Sequence, residues 1–245
     1  MENTLYIALS RQVGLWNKLD MTANNLANMN TAGYKAVSPH FTEYVSRSQN
    51  DERLMPHRLS FTHDFGIVRN FAEGAFEPTD NPLDVAIHGD GYFAVDTPEG
   101  VLYTRDGQFK IGQDGMIVTA NGYAVLDDAG RPMFVSPDET KININQDGTI
   151  ETENGVIGKF QLVAFADPQR LRSVRHGLYR NPEGNAVRPA SVQTEQGMIE
   201  KSNVNAVVEM SEMIKVQRAY ENVQMMLDTE HTRRQNMMQV YARAK

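Results

Sequence analysis

The two ends of this 245-residue chain share one pattern, and the middle carries another. Leu5, Leu9, Leu15, Trp16, Leu19, Ala23 and Leu26 recur at three- and four-residue steps near one terminus. Met210, Met213, Val216, Tyr220, Val223 and Leu227 do the same near the other. That period places apolar side chains along one side of an α-helix. Between the two stretches, Asp-Gly and Asn-Gly pairs separate short alternating runs, the strongest local signal for β-hairpins. The expected class is α+β, with two terminal helices that come together and offer an apolar seam, and a β-rich module between them.

The first helix is expected from about Thr4 to Asn28, roughly 38 Å long at 1.5 Å per residue. It closes at Asn28-Met-Asn-Thr-Ala-Gly33, where Gly33 suits a left-handed stop. Asn24, Asn25, Asn28 and Asn30 are poor helix formers. Either they mark a fraying helix end, or their amides bond a neighbouring chain. From Ala36 to Asp84, Pro39, Pro56, Pro78 and Pro82 with Gly66 and Gly74 rule out long helices, and an extended connector with a few short strands is expected. Hairpin turns are expected at Asp90-Gly91, Asp106-Gly107, Asp114-Gly115, Asn121-Gly122 and Asp147-Gly148, and a central strand at Phe160–Phe165. The polar stretch Asp167–Gly197 leads back to a second helix. That helix starts near Ser202-Asn-Val-Asn205, any of whose polar side chains could cap it, and runs to about Tyr241. Its six methionines suit either ordinary core packing or an adaptable surface between subunits.

Composition narrows the function. A net charge of −7 without a basic cluster argues against nucleic acid as a partner. No apolar run approaches the ~20 residues that cross a bilayer, so direct membrane insertion is not expected. The N-terminus does not read as a secretory leader, since Asn3, Arg11, Gln12, Asn17 and Lys18 interrupt its apolar residues. The expectation is a cytosolic protein or one exported by a route that reads no such signal. There is no cysteine, which removes disulfides and thiol chemistry. The six histidines show no helical pairing and no acidic neighbours of the kind a metal needs. Asn143-Ile-Asn-Gln-Asp147-Gly148 lacks the acidic first and twelfth ligands of a calcium loop, and reads better as a turn. Gly89-Asp-Gly91 lacks the third glycine of a nucleotide fingerprint, and no nucleophile motif is present. Neither catalytic residues, nor a metal, nor a cofactor is expected.

Several stretches together carry a family likeness. Ala23-Asn-Asn-Leu-Ala-Asn-Met-Asn-Thr-Ala-Gly-Tyr-Lys35 closes the first helix, and Asn81-Pro-Leu-Asp-Val-Ala-Ile-His-Gly-Asp-Gly-Tyr-Phe93 opens the β module. Tyr103-Thr-Arg-Asp-Gly-Gln-Phe109 follows, then Gln196-Gly197, Ser202-Asn-Val-Asn205, Glu209-Met210, Met213-Ile214 and Gln217-Arg-Ala-Tyr-Glu221. The chain resembles the bacterial flagellar basal-body rod and hook proteins along both termini and the module between them. Its length, its opening Met1-Glu-Asn-Thr-Leu-Tyr-Ile-Ala8 and its single modest β module resemble proximal-rod members, with distal-rod members close behind. Tyr34 and Tyr92 stand where the family often has Phe.

The resemblance implies a discontinuous helical rod-core domain from residues 1–35 and 198–245, a 36–84 connector, and an outer β-rich domain over 85–197. It also implies a structural subunit of the rod, without catalysis, in the basal body across the periplasm. Partners would be copies of itself, other proximal- and distal-rod proteins, and the type III export apparatus that delivers it without a cleaved signal. The apolar spacing assigns the intersubunit seam to Leu9, Trp16, Leu19, Ala23 and Leu26 with Met213, Val216, Tyr220, Val223 and Leu227, and the asparagines Asn24, Asn25 and Asn28 join it. Two other classes compete: a soluble β-rich binding module that homodimerises through its terminal helices, and a hydrolase using paired carboxylates of the hairpin region.

Overall fold

The computed structural model describes residues 2–47, 58–136, 139, 141–182 and 192–243. They form two compact units, one of residues 1–27, 37–69 and 205–245, the other of residues 28–36 and 70–204.

The first unit holds helix α1 (Glu2–Ala27), a hairpin of β1 (Val37–Arg47) and β2 (Arg58–Arg69), and helix α2 (Ala206–Arg243). Asn205 caps α2: its side-chain oxygen accepts from the Val207 and Val208 amides at 3.1 and 3.2 Å, satisfying donors that the first turn leaves open. Of the four polar residues expected near that start, Asn205 is the cap. Helix α1 packs against α2 and against both strands of the hairpin. At the C-terminal end of α1 the buried Asn25 amide spans the Val37 peptide. It accepts from the Val37 N–H at 2.9 Å and donates to the Val37 carbonyl at 2.8 Å.

The 36–84 segment differs from the expected connector with short strands, because β1 and β2 pair antiparallel along eleven and twelve residues. The register shifts between His40 and Phe41, where Gly66 and Asp64 are the successive partners, so Phe65 is the extra residue of a bulge. Pro39 is tolerated because each strand of a two-stranded ribbon is an edge. Period-two spacing of Leu59, Phe61, Phe65 and Ile67 was the available signal for β2.

The second unit is β-rich. Its largest sheet takes strands β5 (Tyr92–Thr97), β6 (Gly100–Thr104), β7 (Phe109–Ile111), β8 (Ile117–Thr119), β9 (Ala124–Val125), β13 (Leu162–Val163), β14 (Arg172–Ser173) and β15 (Leu178–Arg180). Their order is β14-β15-β6-β5-β9-β8-β7, with β13 also pairing β5. A second sheet, β10-β11-β12, comprises Ile142–Ile144, Thr149–Thr152 and Gly155–Lys159. Two long-range pairs close the unit: β3 (Phe76–Pro78) with β17 (Met198–Glu200), and β4 (Val85–His88) with β16 (Gln193–Gln196). The core contains Phe93, Phe109 and Phe160 with Val85, Ile87, Val95, Ile117 and Ile150. The Phe93 ring stands edge-on to Phe109 and Phe160, at centroid distances of 4.9 and 5.3 Å. Such pairs add about 0.5–1.5 kcal/mol each beyond area burial.

Three expected turns join paired strands: Asp114-Gly115 (β7–β8), Asn121-Gly122 (β8–β9) and Asp147-Gly148 (β10–β11). Two do not. β4 runs into β5 past Asp90-Gly91 but pairs with β16, and β6 leaves Asp106-Gly107 to pair with β5 and β15. The expected Phe160–Phe165 strand is the two-residue β13, beside β5 within the sheet. Gly107 explains the second exception. Its backbone lies so close to β4 that an added Cβ would meet the Val85 carbonyl oxygen at 1.8 Å. The Val85 amide donates to the Gly107 carbonyl at 3.0 Å.

Gly107→Ala should therefore lower the stability of the β-rich unit by about 1–3 kcal/mol, read as a fall in its thermal midpoint. Gly122→Ala, which meets no atom within 4 Å but keeps a positive φ, should show only its local backbone strain.

Candidate functional site

Two features bear on function, and each lies within one unit. The first is the surface of the helical unit. Lys18 pairs with Glu212, and the Trp16 and Tyr220 rings lie 6.1 Å apart, so α1 and α2 run antiparallel. The seam expected from spacing divides by depth. Val216 and Val223 are buried within the unit. Leu19, Ala23, Leu26, Met213, Tyr220 and Leu227 are half-buried. Leu9 and Trp16 face outward at 47% and 58% exposure. Tyr6, Leu9, Val13 and Trp16 are all exposed on α1, spaced three, four and three residues apart. On α2 the exposed apolar residues are Val207, Val208, Met210 and Ile214 near its start, Met225 and Met226 in the middle, and Met237, Met238 and Val240 near its end.

The asparagines also divide. Asn24 is exposed on α1. Asn25 does not reach a neighbouring chain through its amide, as the second expectation had it, because both polar atoms of that amide serve Val37 of its own chain. Asn28 closes a turn: its carbonyl accepts the Thr31 amide at 3.1 Å, and its side-chain oxygen accepts the Thr31 hydroxyl.

The second feature is a buried ionic clasp in the β-rich unit, which the sequence reading missed. Glu200, at the end of β17, is 3% exposed and lies between Lys35 and Arg105, themselves 2% and 5% exposed. Its Oε1 accepts from Lys35 Nζ at 2.6 Å and from the Gly74 amide at 2.9 Å, and its Oε2 accepts from Arg105 Nε at 2.6 Å. Lys35 also donates to the Ala72 carbonyl at 2.8 Å. The Arg105 guanidinium donates to the carbonyls of Gly89, Gly91 and Ile87 at 2.7, 2.6 and 3.2 Å, which holds the β4–β5 passage open instead of folding it into a hairpin. The Gly33 amide donates to the Glu200 carbonyl at 2.8 Å, and Gly33 takes the left-handed φ of 66° that its position in the sequence suggested.

Burial disfavours every charge here, and the pairing answers it. Burial raises the Glu200 carboxyl's pKa, but Arg105 and then Lys35 outweigh it and hold the group below its usual value. Burial lowers Lys35 more than Glu200 raises it. Glu73 approaches Arg105 at 3.8 Å from the solvent side, a partial answer to the excess of positive charge. Among the described residues no buried side-chain nitrogen or oxygen lacks a partner, and no group of acidic or histidine side chains could hold a metal. Nor is any described helix long and apolar enough to cross a membrane. The clasp is thus saturated by its own chain and organises structure. Its sequence signal was a lone charge inside three otherwise apolar or turn-rich stretches: Gly33-Tyr-Lys35, Tyr103-Thr-Arg105 and Met198-Ile-Glu200.

An α+β subunit with terminal helices around a β-rich centre, and apolar residues on the outside of those helices, is a structural class and not a catalytic one. Residues 5–35 match the family model of the flagella basal body rod protein, residues 86–152 that of the flagellar hook protein FlgE/F/G D1 domain, and residues 195–240 that of the flagellar basal body rod FlgEFG protein C-terminal region. The chain belongs to the flagellar basal-body rod protein family. It is 37% identical to the rod protein FlgF of Caulobacter vibrioides over 93% of both chains, and 37% identical to FlgF of Mesorhizobium japonicum over 91% of this chain and 90% of that one. It is 30% identical to FlgG of Bacillus subtilis over 91% of this chain and 92% of that one. These relatives are structural rod proteins, and this chain is likewise structural and not an enzyme.

Removing the clasp's anion tests its weight. Glu200→Gln strands two buried cations, a loss of about 3–5 kcal/mol in equilibrium unfolding. The wild-type carboxyl has a depressed folded pKa, so its contribution is fully present above its unfolded value near 4.5 and is lost as pH falls through the folded value. Unfolding midpoints followed downward from pH 5 should fall in the wild type, and this component should be missing from Glu200→Gln.

Proposed function

We propose that this chain is a proximal-rod subunit whose terminal helices act as one discontinuous rod-core domain and polymerise into the drive shaft, with the β-rich unit outside. The observation that supports the reading is the exposed Tyr6, Leu9, Val13 and Trp16 stripe on a helix that already packs α2 and the hairpin. A spacing of three, four and three residues is that of a seam taking knobs from a neighbouring helix. Each such side chain is worth about 1.5–3 kcal/mol when fully buried, so four that are roughly half exposed hold several kcal/mol per subunit that only a further partner can release. The higher identity to FlgF than to FlgG supports the proximal position. The family also supports placement across the periplasm, delivery by the type III export apparatus, and contact with other rod proteins.

In this reading the terminal helices gain stability by association, through mass action. Trp16→Ala should weaken self-association by about tenfold or more, seen as a shifted concentration dependence in sedimentation, while the thermal transition of the β-rich unit stays in place. Loss of that transition, or assembly equal to wild type, would count against the seam. A closed two-fold dimer at every concentration would favour the homodimeric binding module instead.

A further inference from the structure

Helix α2 is longer than its partner. The levels set by Lys18–Glu212 and Trp16–Tyr220 bring the start of α1 opposite about residue 231, leaving about twelve residues of α2, roughly 18 Å, beyond it. On that overhang Met237, Met238 and Val240 are 38%, 67% and 68% exposed. Its charge is as distinctive as its length. Residues 231–245 carry Arg233, Arg234, Arg243 and Lys245 and no acid, which leaves twenty cations against thirty-one acids in the preceding 230 residues. At the opposite end of the helix pair, Val207, Val208, Met210 and Ile214 are exposed at 69%, 60%, 46% and 52%. There Glu209 and Glu212 precede the first cation of α2, Lys215, and the exposed Asp20 lies at the same level on α1.

Resting on the rod-subunit reading, we propose that the basic overhang of α2 docks on the Val207–Ile214 flank of a second copy, head to tail. Like charge opposes pairing of two overhangs, whereas overhang on flank joins opposite charges and covers both apolar patches. A contact between two different surfaces does not close on itself, so repetition yields an open series along the helix axis. The contact assigns direction: the end of α2 faces the start of α2 in the next subunit. Arg233 and Arg234 both lie near Glu230 within the chain, at 2.7 and 3.9 Å, so the flank's acids add to a cluster already in place.

The absence of native cysteine makes the test clean. The full chain carrying Val208→Cys with Val240→Cys is concentrated and oxidised beside each single variant, and assembly is followed in parallel by sedimentation under reducing conditions. The expected result is a ladder of disulfide-linked trimers and larger species from the double variant alone, weakened at high salt, where charges are screened. Arg233→Glu with Arg234→Glu should cut the ladder about tenfold, and adding Glu209→Arg should restore it. Dimers from Val240→Cys alone, or assembly without any ladder, would overturn the head-to-tail contact and leave the rod-subunit reading standing. No self-association of the reduced wild-type chain at any concentration would overturn both.

Discussion

A single buried carboxylate, Glu200, holds together parts of the chain that are far apart in sequence. Its two oxygens take Lys35 from the segment after α1, Arg105 from the turn after β6, and the Gly74 amide from the segment after the hairpin. Each of these charges would be prohibitive alone in a low-dielectric interior, and together they are tolerated because almost every donor and acceptor is used. The β3–β17 pairing that presents Glu200 and the β4–β16 pairing beside it fasten the last strands before α2 to the opening of the β-rich unit. Arg105 then sets the course of the chain between β4 and β5 by collecting three carbonyls that a hairpin would otherwise have paired.

What the sequence made legible follows from which physics was local. Helical periodicity at the termini and the Asp-Gly and Asn-Gly turns are properties of a few adjacent residues, and they placed α1, α2 and the hairpins of β7–β8, β8–β9 and β10–β11 correctly. The two turns that misled, at Asp90-Gly91 and Asp106-Gly107, are those beside Arg105 and the β4 backbone, where a distant partner overrides local preference. The long hairpin was hidden for a related reason. Prolines and scattered charges on a two-stranded ribbon look like a connector, since edge strands need neither a continuous apolar run nor every amide. Residues 28–35 and 198–204, expected with the helices, fall in the β-rich unit, and the 37–69 hairpin falls with the helices. Backbone bonds such as Gly33 to Glu200 decide that, and no spacing rule reports them.

The apolar stripes were legible as stripes but not as surfaces. Periodicity shows which residues share a side of a helix, not whether that side meets its own chain. Val216 and Val223 are consumed within the helical unit, while Leu9 and Trp16 remain outside it. Tyr6 and Val13, which complete the outer row, escaped notice because a broad stripe on a helix holds both an inner and an outer edge. Asn25 shows the same limit for polar groups. An asparagine out of place in a helix signals that its amide has a task, and here the task is the Val37 peptide twelve residues on.

The position of Glu200 along the polypeptide has a temporal consequence. A chain that appears from its N-terminus presents Lys35 and Arg105 long before their counter-ion exists, and both stay hydrated until β17 arrives. The final lock of the β-rich unit is deferred until most of the polypeptide is free, and a delivery pathway that needs an unfolded thread is served by that delay.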